Sequence, residues 1–136
     1  MVMEHEELTG QIINAAMKVH SVLGPGFLES VYQNALAHEL RKDGKAVECE
    51  RKLTVLYDNV IVGDFSCDML INEIIIIENK ACRALTQAHE VQLVNYLTST
   101  NMEIGLLLNF GAGRLEFKRK YRTYAPKIYK TKIRQD

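Results

Sequence analysis

The sequence predicts a single α/β domain in which helices flank a mixed β-sheet of about five strands. Its 136 residues suit one compact domain with its own hydrophobic core. Apolar residues recur at helical spacing before residue 44 and alternate at strand spacing after residue 46. The resulting order of elements is α-α-β-β-β-α-β-β. No repeat, low-complexity stretch or linker interrupts residues 1–136, so we expect one domain.

Two helices are expected in the N-terminal third of the chain. The first covers about residues 7–22, where apolar side chains recur at helical spacing: Leu8, Ile12, Ala16, Val19 and Leu23. The tripeptide Gly24-Pro25-Gly26 ends this helix. The second helix covers about residues 27–43, and Gly44 is well placed to stop it.

Three strands are expected to follow. Alternating apolar residues predict a first strand that ends at a turn over Asp58-Asn59. Residues 60–71 make the return strand, in which Gly63 indicates a bulge. Four consecutive isoleucines at 74–77 predict a central strand that is covered on both faces.

The remaining elements are one helix and two strands. The third helix is expected over about residues 86–100, with Thr86 as its N-terminal cap. Two strands then cover about residues 104–110 and 115–121. These elements complete a mixed sheet with helices on its flanks.

The composition favours a cytoplasmic protein. No apolar run approaches the ~20 residues that a membrane-spanning helix needs. The N-terminal residues MVMEHEEL are acidic, whereas a secretory signal begins with basic residues. The three cysteines are odd in number and widely spaced, which excludes an evident disulfide framework or zinc motif.

The net charge is zero, but the C-terminal segment 114–136 is strongly basic. It carries nine Lys and Arg residues against two acidic residues, a net charge of +7. Tyr121, Tyr124 and Tyr129 are interleaved with these cations. Such a segment can hold a phosphate backbone while its aromatic rings stack on bases. The alternative is a solvated edge strand and tail that are basic for solubility.

Charged residues directly follow the four isoleucines. Because side chains alternate along a strand, Glu78 and Lys80 share one face and Asn79 lies on the other. Charges at the end of a covered strand are costly unless they are paired or bind something. A tight turn at Asn72-Glu73 would pair this strand with the preceding one and bring Asp68 close to Glu78.

Two carboxylates at one position repel each other unless a divalent cation lies between them. Mg²⁺ suits such a pair, because it takes one or two carboxylates together with waters and a substrate phosphate. Lys80 would then position or deprotonate the attacking water, or offset charge on the phosphate. The alternative is a plain Glu78–Lys80 pair beside an unrelated Asp68.

Two helices add further candidate residues. Glu29 shares a helix face with Tyr32 and the apolar residues that follow, so it would extend an apolar face toward the core. A carboxylate there needs a partner such as a metal, unless Glu29 is simply favoured by the helix dipole. On the third helix, Gln92 and Tyr96 are one turn apart and could hold a phosphate or a base edge.

These residues resemble the bacterial GxxExxY family. Residues 26–32, Gly-Phe-Leu-Glu-Ser-Val-Tyr, match its signature, and residues 19–26 look like its usual lead-in. That family is grouped with the PD-(D/E)XK nuclease superfamily, whose core is an α-β-β-β-α-β unit. Asp68 with Glu78-Asn79-Lys80 matches the D…E-x-K element of the superfamily. Residues 92–96 look like the Q-x-x-x-Y motif of its RecB-like and lambda-exonuclease-like branch, so the resemblance covers about residues 8–122.

The resemblance implies a restriction-endonuclease-like core and a nuclease that depends on Mg²⁺ or Mn²⁺. The implied metal ligands are Glu29, Asp68, Glu78 and the backbone carbonyl of Asn79. The implied catalytic residues are Asp68, Glu78 and Lys80. The residues implied to contact substrate are Gln92, Tyr96 and Tyr32.

Two positions depart from the superfamily pattern. Cys67 stands where the superfamily name has proline, a change that leaves the chemistry intact. Asn79 replaces the apolar residue expected between Glu78 and Lys80, which places a polar side chain on a packing face. His20 belongs to the lead-in, and we expect it to be a hydrogen-bonded, half-buried histidine.

The resulting hypothesis is metal-dependent hydrolysis of phosphodiester bonds, in DNA rather than RNA. A chain of this size has little surface left for specificity, which favours a homodimer or a partner protein; no membrane is involved. The alternative is a catalytically inactive nucleic-acid-binding or protein-interaction module that retains the fold.

Overall fold

The computed structural model describes residues 5–123, and its elements follow the predicted order. They are α1 (Glu6–Leu23), α2 (Glu29–Lys42), β1 (Val47–Tyr57), β2 (Val60–Ile71), β3 (Ile75–Lys80), α3 (Gln87–Thr100), β4 (Ile104–Asn109) and β5 (Glu116–Tyr121). Most of the basic tail, with Tyr124, Tyr129 and the cations at 127, 130, 132 and 134, lies outside the described residues.

The helices α1 and α2 pack on each other through the residues that helical spacing predicted. Ile12 and Ala16 of α1 and Leu36 and Leu40 of α2 are fully buried. The helix α2 ends as predicted, because Gly44 adopts a positive φ of 81° that suits a helix stop. Within residues 5–123, no helix combines the length and apolarity needed to cross a membrane.

The five strands form one mixed sheet in the order β1-β2-β3-β4-β5. Neighbouring strands are antiparallel except for the parallel pair β3 and β4. The strand β3 is therefore central, and its residues from Ile75 to Asn79 are buried. This burial agrees with the central strand that the run of isoleucines predicted.

Each face of the sheet is covered by helices. Ile75 and Ile77 pack with α1 and α2 on one face. Ile76 packs with Leu93 and Leu97 of α3 on the other face. The helix α3 begins where predicted, since the Thr86 hydroxyl accepts a hydrogen bond from the His89 backbone N–H at 3.3 Å.

Two tight turns fix the pairing of the first three strands. Asp58-Asn59 and Asn72-Glu73 have positive φ at both residues, the conformation of two-residue hairpin turns. The β1–β2 register shifts beside Gly63, so the predicted bulge is present there. The second turn pairs Met69 with Ile77, which brings the preceding residue of β2 close to the end of β3.

Candidate functional site

Side-chain hydrogen bonds continue the β2–β3 pairing where the regular ladder ends. The last backbone pair is Met69 with Ile77. Beyond it, the Asp68 backbone N–H donates to Glu78 Oε2 at 3.1 Å. The Asn79 backbone N–H donates to Asp68 Oδ2 at 2.7 Å. The structure thus brings Asp68 and Glu78 together, as the predicted hairpin required.

The two carboxyl groups lie in a partly desolvated position that disfavours their negative charge. Glu78 is 8% exposed, and its burial together with the Asp68 charge raises its pKa to about 7. Burial also raises the pKa of Asp68, although the hydrogen bond from the Asn79 N–H opposes the rise. Two crowded carboxylates with raised pKa values form a place where a cation is strongly favoured.

Lys80 lies at the carboxyl end of β3 and is half-buried. Ile76 packs toward α3, so strand alternation places Glu78 and Lys80 on that same face. The Lys80 ammonium opposes the rise in the pKa of both Asp68 and Glu78. The Phe110 backbone N–H donates to the Lys80 carbonyl at 2.9 Å and fixes this end of the strand.

Asn79 points its side chain away from Glu78 and Lys80. The side chain is almost fully buried, and its Nδ2 lies 3.2 Å from Met69 Sδ and 3.4 Å from Gln33 Oε1. Its Oδ1 has no hydrogen-bond partner among the described residues. In a strand, the N–H and C=O of one residue point to the same neighbour, so the Asn79 carbonyl also faces β2.

Glu29 occupies the first turn of α2, where the helix dipole favours a carboxylate. It is exposed, which differs from the buried position that its helix face predicted. Its charge nevertheless contributes to the raised pKa of Asp68. Within residues 5–123, the structure does not gather three His, Cys, Asp or Glu side chains closely enough to hold a metal ion. The predicted set of three carboxylate ligands is therefore not assembled.

Tyr32 lies inside the hydrophobic core. It is fully buried and stacks on Phe110, with ring centroids 4.8 Å apart. Its hydroxyl donates to the Gly24 carbonyl at 2.5 Å and accepts from the Phe27 N–H at 3.1 Å. Tyr32 thus ties the α1–α2 loop to the start of α2. This position corrects the prediction that it contacts substrate, because neither its ring nor its hydroxyl is accessible.

The two predicted residues of α3 differ in their surroundings. Tyr96 is half-buried and stacks on Phe65 of β2, with ring centroids 3.8 Å apart. Gln92 lies one turn earlier and is exposed. Tyr96 therefore braces α3 against β2, whereas Gln92 is free to meet a ligand from solvent.

A network of hydrogen bonds around Asn109 holds the loop after β3. The sequence patterns did not reveal this network. Asn109 Oδ1 accepts from the backbone N–H of Cys82 and of Gly111, both at 3.0 Å. Asn109 Nδ2 donates to Glu116 Oε1 at 2.7 Å, and that oxygen also accepts from the Leu85 N–H at 3.1 Å. A buried asparagine at the end of an apolar strand was the available signal for this network.

A second hydrogen bond ties α1 to the β4–β5 loop. His20 is mostly buried, and its Nε2 lies 2.8 Å from the Ala112 carbonyl. This arrangement agrees with the hydrogen-bonded histidine that we expected.

The oxygen donors at the end of β3 fit a hard divalent cation. Mg²⁺ and Mn²⁺ prefer carboxylate and carbonyl oxygens with waters completing the shell. Asp68 and Glu78 supply two carboxylates, and the Asn79 carbonyl faces the same side. Burial raises the pKa of both carboxyls, and a cation beside them would favour their ionised forms.

Comparison with known proteins identifies the family. A model of the PD-(D/E)XK nuclease superfamily matches residues 6–120. The chain belongs to this superfamily. Its mixed five-stranded sheet is accordingly a restriction-endonuclease-like fold, and members of the superfamily are nucleases that generally use divalent metals. No curated protein matches the chain.

A solved structure shares the fold of this PD-(D/E)XK domain. The crystal structure of SSO0001 is similar with a TM-score of 0.55 and 19% sequence identity. The similarity covers 98% of this chain but only 65% of SSO0001. At this identity the similarity concerns the fold alone.

Proposed function

We propose that this chain is a nuclease that hydrolyses phosphodiester bonds in DNA with the help of Mg²⁺ or Mn²⁺. The observation that carries the proposal is the Asp68–Glu78 pair. Glu78 Oε2 accepts a hydrogen bond from the Asp68 N–H at 3.1 Å, and Asp68 Oδ2 accepts one from the Asn79 N–H at 2.7 Å. In a PD-(D/E)XK nuclease superfamily domain, a paired Asp and Glu followed by Lys80 is the expected set of groups for this chemistry.

Three groups would hold the cation in this proposal, and a fourth would act on it from a distance. The carboxylates of Asp68 and Glu78 and the carbonyl of Asn79 would supply oxygen ligands, while the exposed Glu29 would add its charge from α2. When bound, the cation offsets negative charge on the phosphate and lowers the pKa of a bound water. The residues provide this place at little conformational cost, since backbone N–H groups already hold one oxygen of each carboxylate.

Lys80 would act on the attacking water and on the phosphate. Lys80 lies at the strand end on the same face as Glu78. From there its ammonium can donate hydrogen bonds to the attacking water and to the phosphate. The water oxygen forms a bond to phosphorus while one phosphorus–oxygen ester bond breaks. One water proton passes to solvent and the other protonates the leaving oxygen. The products are therefore a phosphate monoester and an alcohol.

Substrate contacts would come from exposed polar groups around this strand end. Gln92 is exposed on α3, and Arg83 is exposed in the loop directly after β3. Lys118 on β5 is also exposed and belongs to the basic C-terminal segment. Such cations would bind a phosphate backbone in a salt-dependent manner.

An assay with purified protein tests the proposal. The protein is incubated with Mg²⁺ or Mn²⁺ and with single-stranded DNA, double-stranded DNA and RNA of matched length. We expect cleavage of DNA by the wild type, loss of cleavage in Asp68→Ala and Lys80→Ala, and wild-type cleavage in Lys42→Ala at the far end of α2. Equal, negligible cleavage by all four proteins on every substrate would refute a nuclease function.

One observation favours a second function, a nucleic-acid-binding module without catalysis. Asn79 carries a buried oxygen with no hydrogen-bond partner among the described residues, at the position between the two catalytic side chains. Such a defect destabilises the strand that must hold Glu78 and Lys80 in place. Salt-dependent DNA binding that is unchanged by EDTA, in a protein that cuts nothing, would support this second function.

A further inference from the structure

A cleft of about 550 Å³ lies between the C-terminal half of α1 and the segment that leads from the β4–β5 loop into β5. Its lining mixes apolar and polar side chains: Met17, His20, Ser21, Arg114, Leu115 and Phe117. A volume of several hundred Å³ is usual for sites that bind small molecules. None of these residues belongs to the proposed active site, so the cleft is a separate feature of the molecule.

Two side-chain hydrogen bonds hold the walls of the cleft together. His20 Nε2 lies 2.8 Å from the Ala112 carbonyl, and Arg119 Nε donates to Thr9 Oγ1 at 3.0 Å. Thr9 and His20 are about three helical turns apart, ~16 Å along α1. Met17 lies between these two contacts in α1, and Phe117 lies between them on the other wall. The cleft is therefore preformed, because it is tied on both sides.

The polar side chains of the lining have free hydrogen-bonding capacity. His20 is only 9% exposed, and a carbonyl can only accept, so its Nε2 carries the proton and Nδ1 of the neutral ring is an acceptor. Nδ1 has no hydrogen-bond partner within residues 5–123. Ser21 and Arg114 are exposed on the two walls, and Arg114 forms no ion pair with a described residue.

The charge and the apolar surface of the cleft together favour one class of ligand. Arg114 is a cation of this lining, and no carboxylate of the described residues faces it there. A guanidinium binds phosphate through two parallel hydrogen bonds. Met17 is 44% exposed and Phe117 is half-buried, which leaves thioether and aromatic surface for a planar ring to cover. A bare phosphate would leave this apolar wall uncovered, whereas a nucleotide would cover it.

The cleft lies at the same end of the sheet as Lys80. Lys80 pairs with Asn109 and Asn109 pairs with Glu116, so the β4–β5 loop is at that end. Leu115 and Phe117 pack with the α1–α2 core, which places the cleft on the face opposite α3. A nucleic-acid strand that used both places would pass around the β4–β5 loop.

We propose that this cleft binds one nucleotide, either free or as a unit of a nucleic-acid strand. Arg114 and the Ser21 hydroxyl hold the phosphate, and His20 Nδ1 accepts a hydrogen bond from the sugar or the base. The base lies against Met17 and Phe117. The inference goes beyond the proposed nuclease function, because this binding needs neither a metal ion nor Lys80.

Binding experiments in EDTA test the inference without metal-dependent cleavage. The full-length protein is titrated with thymidine monophosphate, with inorganic phosphate and with a short fluorescein-labelled oligothymidylate. The variants are Arg114→Ala, Ser21→Glu and Asp68→Ala. Lys52→Ala is the matched control, because it removes an exposed cation from β1 at the opposite edge of the sheet. Thermal melting is measured for each protein.

We expect Arg114→Ala to bind the nucleotide ligand about ten-fold more weakly, the effect of losing a charge-assisted hydrogen bond. Ser21→Glu should abolish binding, because it places a carboxylate beside the phosphate. Melting temperatures should change little, since both positions are exposed. Lys52→Ala should bind like the wild type, and Asp68→Ala at least as tightly. Binding of thymidine monophosphate would identify a free nucleotide as the ligand, and binding of the oligothymidylate alone would identify a strand.

Three outcomes would overturn the inference. The first is wild-type affinity for both nucleotide ligands in Arg114→Ala and Ser21→Glu, or no binding by the wild type. The second is an equal loss in Lys52→Ala, which would reflect overall charge alone. The third is equal affinity for inorganic phosphate and the nucleotide ligands, which would show that no base is bound. A protein that cuts nothing but shows the expected binding pattern would refute the nuclease function and support the cleft.

Discussion

The backbone N–H of Asp68 donates a hydrogen bond to the Glu78 carboxylate at 3.1 Å, where the β2–β3 ladder would otherwise continue. The strand pairing itself therefore holds two partly desolvated carboxyl groups together. Such groups repel each other when ionised and are stabilised by a cation. The local architecture of the sheet thus determines both the electrostatics of the site and its consequences for stability.

The stability of the metal-free protein should fall as the pH rises from about 5 to about 7. The pKa of Glu78 is about 7 in the folded protein against an ordinary value of 4.5. Between these values the folded state binds a proton that the unfolded state has released, so the free energy of unfolding decreases with pH. The decrease due to Glu78 is about 3 kcal/mol.

Urea unfolding in EDTA at several pH values measures this effect. The variant Glu78→Gln cannot ionise at this position, so its stability should vary much less across the same pH range. Addition of Mn²⁺ at pH 7 should restore stability to the wild type, since a bound cation favours the ionised pair. Parallel pH profiles for the wild type and Glu78→Gln would contradict the raised pKa.

Replacement of Lys80 should separate catalysis from metal binding. We expect Lys80→Ala to reduce the cleavage rate by roughly 10²- to 10³-fold, the usual cost of losing one preorganised charge at a reacting group. Its Mn²⁺ affinity should be equal or higher, because the ammonium competes with the cation for the two carboxylates. Steady-state kinetics and calorimetry measure the two quantities, and loss of Mn²⁺ binding would argue against this assignment.

Removal of the Tyr32 hydroxyl should affect stability rather than substrate binding. Tyr32→Phe leaves the Gly24 carbonyl and the Phe27 N–H without their partner, at a cost of about 1–3 kcal/mol. The stacking on Phe110 is retained. Urea unfolding measures the loss, and KM for DNA should change little. A large rise in KM at wild-type stability would instead support the original prediction of substrate contact.

Gly111, which follows β4, should tolerate no side chain, because it packs against the loop after β3. A Cβ at Gly111 would meet the backbone N and O of Cys82 at 2.4 Å, so Gly111→Ala must displace the loop that follows Lys80. We expect lower thermal stability, by about 1–3 kcal/mol, and reduced cleavage. Gly113→Ala is the matched control, because a Cβ there has no neighbour within 4 Å. Equal melting temperatures of the two variants would contradict the predicted clash.

An apolar residue at position 79 should stabilise the fold. Asn79→Leu removes a buried oxygen that has no partner in the described part of the chain, and it keeps the backbone N–H that binds Asp68. The expected gain is about 1–2 kcal/mol, measured by urea unfolding. Cleavage should persist, since the two flanking side chains stay in place. A destabilised variant would show that the weak contact with Gln33 outweighs the unpaired oxygen.

Local sequence signals were sufficient for the elements and for the core of the site. The helical spacing of α1 and α2, the cap at Thr86 and the run of isoleucines each depend on neighbours in sequence. The turn at Asn72-Glu73 is also local, and its length fixes the pairing that brings Asp68 to Glu78. For this reason the sequence predicted that Asp68, Glu78 and Lys80 meet at the end of β3.

Contacts between distant segments decided the rest. Tyr32 belongs to a stretch that resembles a family signature, yet packing against Phe110 buries it completely. Glu29 has the right helical phase, but the first turn of α2 remains exposed.

Glu50 of β1 accepts a hydrogen bond from Gln33 of α2, and no sequence pattern signals this contact, because it forms only when α2 packs against β1. The order of the elements and the residues at the end of β3 follow from local sequence patterns. Which other groups reach that strand end depends on how the helices pack on the sheet, because packing controls burial and approach.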